Sequence, residues 1–238
     1  MVHIHARDME VDYPVFAAGN RSLKKALWRS ATGGAVERGK DDGLVIVKAL
    51  RALNFDIKKG DRVGLYGHNG AGKSTLLRVL AGGCEPLRGT LDIQGSIASM
   101  LSISLGMDNE ATGYENILLR ATLMGLSRKE IEDVTPEIAE FSELGGYLNM
   151  PIRTYSSGMA MRLAFAVSTT IKADIILMDE WLSVGDESFF QKAKDRLKKM
   201  LDSAHILILA SHDKNLIRAQ CNRLFHMEQG QITQMEDL

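Results

Sequence analysis

Two cysteines, Cys84 and Cys221, in 238 residues are too few for a disulfide framework of the secreted type. No apolar run approaches the roughly 20 residues that a spanning helix needs. The longest candidates, Leu163 to Ile171 and Ile206 to Ala210, are short or broken by Ser and Thr. No charge sign dominates either. The 29 Lys and Arg stand against 30 Asp and Glu, a net charge of -1, without the basic footprint of a dedicated nucleic-acid binder. Met1 to Glu10 mixes His, Arg, Asp and Glu and lacks the basic-then-apolar pattern of a signal peptide. There is no internal repeat and no low-complexity tail. The expectation is a cytosolic globular protein with two buried thiols, and attachment to a membrane through partner proteins stays open.

What is present is ordinary globular usage, 45% apolar and 25% charged, in a length that allows one large domain or one with an inserted subdomain. Val11 to Phe16 reads as a first strand. A glycine-rich polar stretch follows, with Ser22 to Trp28 as a short amphipathic helix. Leu44 to Val47, Leu50 to Ile57 and Val63 to Tyr66 read as strands, and Lys73 to Leu80 as a helix. Short strands are expected at Thr90 to Ile93 and Ile97 to Leu101. From Thr112 to Gly145 the pattern is helical, with capping boxes at Thr112-x-x-Glu115 and Ser127-x-x-Glu130. Met159 to Ile171 and Glu187 to Leu201 read as helices, and Lys214 to Arg218 as a short one. Ile175 to Met178 and Ile206 to Ala210 are continuous apolar strands of the buried parallel kind, and Leu224 to Met227 and Gln231 to Thr233 close the chain. This order implies an α/β core interrupted by a helical subdomain. His3 and His5 are read as stray histidines of a flexible N-terminus, not as a metal pair.

The strongest local signal is Gly67-His68-Asn69-Gly70-Ala71-Gly72-Lys73-Ser74, which fits G-x-x-x-x-G-K-[ST] between a strand and a helix. Glycines let the backbone curl so that successive N–H groups face phosphate oxygens, and the helix adds its positive end. Lys73 supplies a point charge for the β- and γ-phosphates. Ser74 offers its hydroxyl to Mg²⁺, and Thr75 completes the phosphate-contacting set. Asp179 and Glu180 end the apolar strand Ile175 to Met178. Asp179 suits Mg²⁺, held through a water, and Glu180 suits a general base acting on the attacking water.

Tyr155-Ser156-Ser157-Gly158-Met159, opening a helix 21 residues before Asp179, resembles the L-S-G-G-Q signature of ATP-binding-cassette (ABC) ATPases. Ser183-Val184-Gly185-Asp186 is similar to the D-loop of that family, with Asp186 at its acidic position. His212, after Ile206 to Ala210, stands where the family carries its switch histidine. The resemblance runs from about Val11 to Thr233 and implies a P-loop NTPase fold: a RecA-like mixed-sheet core, a small antiparallel β subdomain and an inserted helical subdomain at about 108–158. It places a further insertion at about 19–42 within one domain, 1–238.

Two positions depart from the family pattern. Ser102 stands near the place of a Gln that usually touches Mg²⁺. The region of the adenine-stacking aromatic is Leu44 to Lys48, where Val47 offers only apolar contact; Tyr13 or Phe16 is more readily a packing residue. Leu105-Gly106-Met107 and Thr112-Gly113-Tyr114-Glu115-Asn116-Ile117 resemble the polysaccharide-exporting subfamily of ABC ATPases. That resemblance implies an ATPase using ATP and Mg²⁺, with Glu180 and His212 catalytic. Gly67 to Thr75 bind the nucleotide in one chain, with Tyr155 to Gly158 and Asp186 completing the site of a second copy. It further implies a multispanning membrane permease as partner, which carries a lipid-linked polysaccharide of O-antigen, capsule or teichoic-acid type, and a peripheral place on the cytoplasmic face of the membrane. No nucleic acid is implied. The alternatives are the ATPase of another ABC exporter and a soluble ABC ATPase without a transporter. Ending at Leu238, the chain is expected to carry neither a fused membrane domain nor a C-terminal glycan-binding domain.

Overall fold

The computed structural model describes residues 1–16, 35–38, 44–101, 103, 105–180 and 187–238. The helix expected at Ser22 to Trp28, most of the 19–42 insertion, Ser102, and the segment Ser183 to Asp186 lie outside the described residues. The chain forms two compact units: Met1–Leu101 with Asp174–Trp181 and His205–Leu238, and Ser102–Ala173 with Leu182–Ala204.

The first unit contains two sheets. Strands β1 (His3–Phe16), β2 (Ala35–Arg38), β3 (Leu44–Lys58) and β5 (Arg88–Gln94) make an antiparallel sheet in the order β2-β3-β1-β5. Strands β4 (Arg62–Tyr66), β6 (Ile97–Met100), β7 (Ile175–Asp179), β8 (Ile206–Ser211), β9 (Arg223–Glu228) and β10 (Gln231–Asp237) form the second sheet, ordered β10-β9-β4-β8-β7-β6. Its pairs are parallel except for the β9–β10 hairpin. All residues of β8 and the first four of β7 are buried, which is why these segments read as unbroken apolar runs. Helix α1 (Lys73–Leu80) buries Leu76, Leu77, Val79 and Leu80 in a core shared with both sheets, and the Phe55 and Phe225 rings meet across them at 6.0 Å.

The antiparallel sheet corrects two expectations. β1 begins at His3, eight residues before Val11, so His3 and His5 sit in a paired strand. His3 Nε2 lies 2.9 Å from the Asp92 carboxylate and His5 pairs with Asp56. In addition, Leu44 to Lys58 is one strand, not two. Both misreadings have the same cause. In β1 the register shifts between Ala6 and Met9, around Asp8 (φ 47°); in β3 it shifts between Lys48 and Leu50, which face Asp12 and Val11, and there the two-residue alternation breaks. Asp8 and Asn54 brace the shift in β1, each donating to the other's side chain at 3.0 Å.

At the opposite end of the sheet from the loops described below, Asp174 fastens the starts of β6 and β7. Its carboxylate accepts the Ser96 N–H and hydroxyl, both at 2.9 Å, and its own N–H donates to Ser96 Oγ at 3.0 Å.

The second unit contains α2 (Gly113–Leu123), α3 (Arg128–Ser142), α4 (Ser157–Ser168) and α5 (Glu187–Ser203). Both expected capping boxes form: Thr112 with Glu115 and Ser127 with Glu130. Phe141, Phe165 and Phe189 cluster, with Arg196 stacked over Phe141 at 4.3 Å. The last helix of the chain, α6 (Lys214–Gln220), belongs to the first unit. Among the described residues no helix is long and apolar enough to cross a membrane.

Candidate active site

The loop Gly67 to Gly72 leaves the end of β4 and enters α1. Two backbone requirements explain its glycines. Gly70 and Gly72 have φ of 82° and 106°, where a side chain is strained. Gly67 has no room for one: a Cβ there would stand 2.2 Å from the Met227 carbonyl oxygen and 3.0 Å from the Ala71 Cβ. Gly72 caps α1 without any side-chain bond, so the first-turn N–H groups stay free for an anionic ligand. His68 and Asn69 are exposed, and Ala71 is buried beneath the loop. Lys73 curls back under it, donating to the carbonyls of Gly67 (2.6 Å) and His68 (3.1 Å). Burial lowers its pKa, and the nearby carboxylates of Asp179 and Glu180 oppose that shift. A half-buried ammonium beside the uncapped first turn of α1 fits a phosphate ester.

β7 and β8 are parallel neighbours, so their ends bring Glu180 and His212 together. The Glu180 N–H donates to the Ala210 carbonyl at 2.9 Å, which fixes its backbone on the β8 side. His212 Nδ1 lies 3.1 Å from Glu180 Oε1, and both side chains are exposed. Glu180 has φ 66°, a left-handed conformation that costs a non-glycine residue about 1–2 kcal/mol. His212 is itself held between β8 and α6. The Asp213 N–H donates to Ser211 Oγ, and the Asp213 carboxylate caps α6 by accepting from Asn215 and Leu216. Lys73, Ser74, Thr75, Asp179, Glu180 and His212 therefore all lie in the first unit, at the C-terminal ends of its parallel strands.

Tyr155 to Gly158 lie in the second unit. Ser156 is the N-cap of α4, accepting the Met159 N–H at 3.2 Å, and Ser156 and Ser157 are both exposed. Tyr155 turns inward. Its hydroxyl donates to the Tyr147 carbonyl at 2.7 Å, and burial raises its pKa. Gly113 makes room for it, since a Cβ there would approach that hydroxyl to 2.5 Å. Tyr13, considered for the base, is occupied instead with Cys84, its hydroxyl 3.5 Å from the Cys84 sulfur. Ser102 and Asp186 fall among the undescribed positions.

Sequence reading missed the support behind the phosphate loop. Gly230, in the β9–β10 turn, donates to the Ala71 carbonyl at 2.9 Å, and its own carbonyl accepts from Arg51 at 2.8 Å. A Cβ at Gly230 would stand 2.5 Å from the Ala49 carbonyl. Its only signal in the sequence was a glycine between two closing strands.

Comparison with known proteins agrees with these observations. The ABC transporter family model matches residues 50–183. The chain is 43% identical over 232 residues to the O-antigen export system ATP-binding protein RfbE of Yersinia enterocolitica, covering 98% of this chain and 97% of that protein. It is 37% identical over 201 residues to the teichoic acids export ATP-binding protein TagH of Bacillus cereus, covering 84% of this chain but 36% of that longer protein. Among solved structures, the dimeric post-hydrolysis ATP-binding cassette MJ0796 bound to ADP and Pi superposes with a TM-score of 0.69 at 21% identity, over 99% of this chain and 98% of that one. At that identity the likeness speaks for the fold, which is the cassette fold expected from the motifs. More than half of the chain fits the family model and one relative is matched end to end, so the chain belongs to the ABC transporter family.

Proposed function

We propose that this chain is the ATP-hydrolysing subunit of an ABC transporter that exports a lipid-linked polysaccharide, of O-antigen or capsule type, across the cytoplasmic membrane. The observation that carries the hydrolytic half is the pairing of Glu180 with His212 at 3.1 Å on adjacent strand ends. The export half is supported by the end-to-end match to an O-antigen export ATP-binding protein.

In this reading Gly67 to Thr75 hold the triphosphate of ATP, with Lys73 as its main countercharge. Ser74 and Asp179 would hold Mg²⁺, and Ser102 occupies the sequence position of the usual Gln. Bound Mg²⁺ supplies charge neutralisation at the phosphates. Glu180 accepts a proton from the attacking water, work worth about 10²–10⁴ in rate. His212 keeps the Glu180 carboxylate oriented and bonds the terminal phosphate. Two copies of the chain pair with C₂ symmetry, so that Ser156 to Gly158 and Asp186 of one copy complete the site of the other. The exposed N-terminus of α4 suits that task because its dipole and free N–H groups attract phosphate. The subunit sits peripherally on the cytoplasmic face of the membrane, where a multispanning permease carries the glycan.

Glu180→Gln tests the assignment. The variant should bind ATP with unchanged affinity, lose turnover by at least about 10²-fold and accumulate as an ATP-bound dimer on size-exclusion chromatography. Wild-type turnover in that variant overturns the base assignment. Affinity purification from membranes should bring down a multispanning protein; its absence favours an ABC ATPase that works without a transporter.

A further inference from the structure

Helix α2 buries two polar side chains one turn apart, Asn116 at 0% exposure and Arg120 at 5%. Neither belongs to the site described above. Asn116 uses its whole amide. Its Nδ2 donates to the carbonyls of Asp108 (2.9 Å), Ala111 (3.1 Å) and Thr112 (2.9 Å), and its Oδ1 accepts the Asp108 N–H at 2.7 Å. Arg120 donates through Nη1 to the Leu105 carbonyl and through Nη2 to Ser168 Oγ at 2.7 Å. Among the described residues no carboxylate pairs with Arg120, and its Nε has no partner.

A guanidinium buried without a counter-charge is costly, and removing the charge altogether is often neutral or stabilising. An apolar residue would fill the same volume on α2. What it would lack is the ability to hold two groups from different segments at once. Leu105 lies on the chain that leaves β6, and Ser168 is the last residue of α4. β6 runs parallel to β7 in the register Met100 with Met178, so β6 ends on the same side of the sheet as the β7 end with Asp179 and Glu180. The other end of α4 is the Ser156 N-cap.

We propose that Arg120, assisted by Asn116, is a positioning residue of the ATPase cycle: it clamps the segment Leu105 to Thr112 and the C-terminal turn of α4 to α2, so that this segment and the helix bearing Ser156 move as one body. The proposal rests on the ATPase reading. The clamp touches no nucleotide-binding residue, so ATP turnover depends on it and ATP affinity does not. Gly106 (φ 80°) lets the segment turn down on α2 between the two anchors.

The test uses the full chain, with ATP turnover, ATP titration and thermal melting measured together. Arg120→Met should lower kcat about 10-fold with KM for ATP within about 2-fold, the range expected for breaking a coupling contact. Arg120→Lys, whose ammonium reaches one anchor but not both, should recover part of the loss, as should Ser168→Ala, which cuts one arm alone. Phe141→Leu, in the aromatic cluster of the same unit and outside the hydrogen bonds of Arg120 and Asn116, serves as a control for loss of stability. The proposal is overturned if Arg120→Met and a Phe141→Leu protein of matched melting temperature share one kcat, or if KM rises while kcat stays. Should Arg120→Met not fold, the same comparison made with Arg120→Lys and Ser168→Ala decides. A wild-type chain that does not hydrolyse ATP overturns the ATPase reading instead.

Discussion

Gly67→Ala puts the phosphate loop to a direct physical test. Its φ is not in the left-handed region, so the substitution adds no dihedral strain. The problem is contact: the new Cβ would lie 2.2 Å from the Met227 carbonyl oxygen and 3.0 Å from the Ala71 Cβ. The first distance is more than about 1 Å inside ordinary van der Waals contact. Neither neighbour has a rotatable end, so the backbone of the loop or of the β9 end must move. Overpacking of this kind costs about 1–3 kcal/mol. If the loop alone gives way, that energy appears as ATP affinity weakened roughly 5- to 150-fold. If the sheet gives way, it appears as a lower urea midpoint. A fluorescent-nucleotide titration and a urea melt on the same protein apportion the two. Gly146→Ala is the matched control, because nothing lies within 4 Å of a Cβ there. Gly67→Ala binding ATP within about 2-fold of wild type and melting with it would refute the argument, since an overpacking cost of about 1–3 kcal/mol must appear in one or the other.

Ser156 invites a substitution that separates capping from phosphate recognition. Asp caps a helix as well as Ser does, so Ser156→Asp should melt with wild type while Ser156→Ala loses about 1 kcal/mol. In the proposed dimer, however, the carboxylate would face the partner's triphosphate, so Ser156→Asp should abolish the ATP-bound dimer; full turnover in that variant removes Ser156 from the site. Asp174 predicts a pH dependence. The Ser96 N–H and hydroxyl, with a smaller contribution from His205, hold its pKa below the ordinary 3.8. A depressed folded-state pKa means stability that is present above the unfolded value and lost as pH falls through the folded one. Asp174→Asn should therefore be less stable than wild type near neutral pH, and the two urea midpoints should converge well below about pH 4. A gap that stays constant down to acid pH contradicts the charge argument.

Much of this chain was legible because its elements are specified locally. The capping boxes at Thr112 and Ser127 formed as written, since each needs only four consecutive residues. β7 and β8 were recognisable because a parallel strand covered on both faces must be apolar throughout. The antiparallel sheet was harder. Its irregularities at Asp8 and between Lys48 and Leu50 interrupt the alternation by which a strand is read, and only cross-strand partners such as Asn54 and Asp92 show that His3 to Glu10 is paired.

The same division runs through the site. Sequence alone determined that Gly67 to Ser74 is a glycine-rich loop of phosphate-loop pattern between a strand and a helix, and that an acidic pair ends a buried strand, because each lies within one short segment. Tertiary structure decided what no spacing encodes. The 3.1 Å approach of Glu180 and His212 depends on β7 and β8 being neighbours across 32 residues of chain. The need for glycine at positions 67 and 230 arises from carbonyls on β9 and β3. Arg120, which in the sequence looks like an ordinary polar residue on a helix, is buried and bonded to Leu105 and Ser168, groups brought to it from other segments of the chain. Motifs record the groups a reaction needs; the non-local packing that holds those groups at working distance is a property of the folded chain.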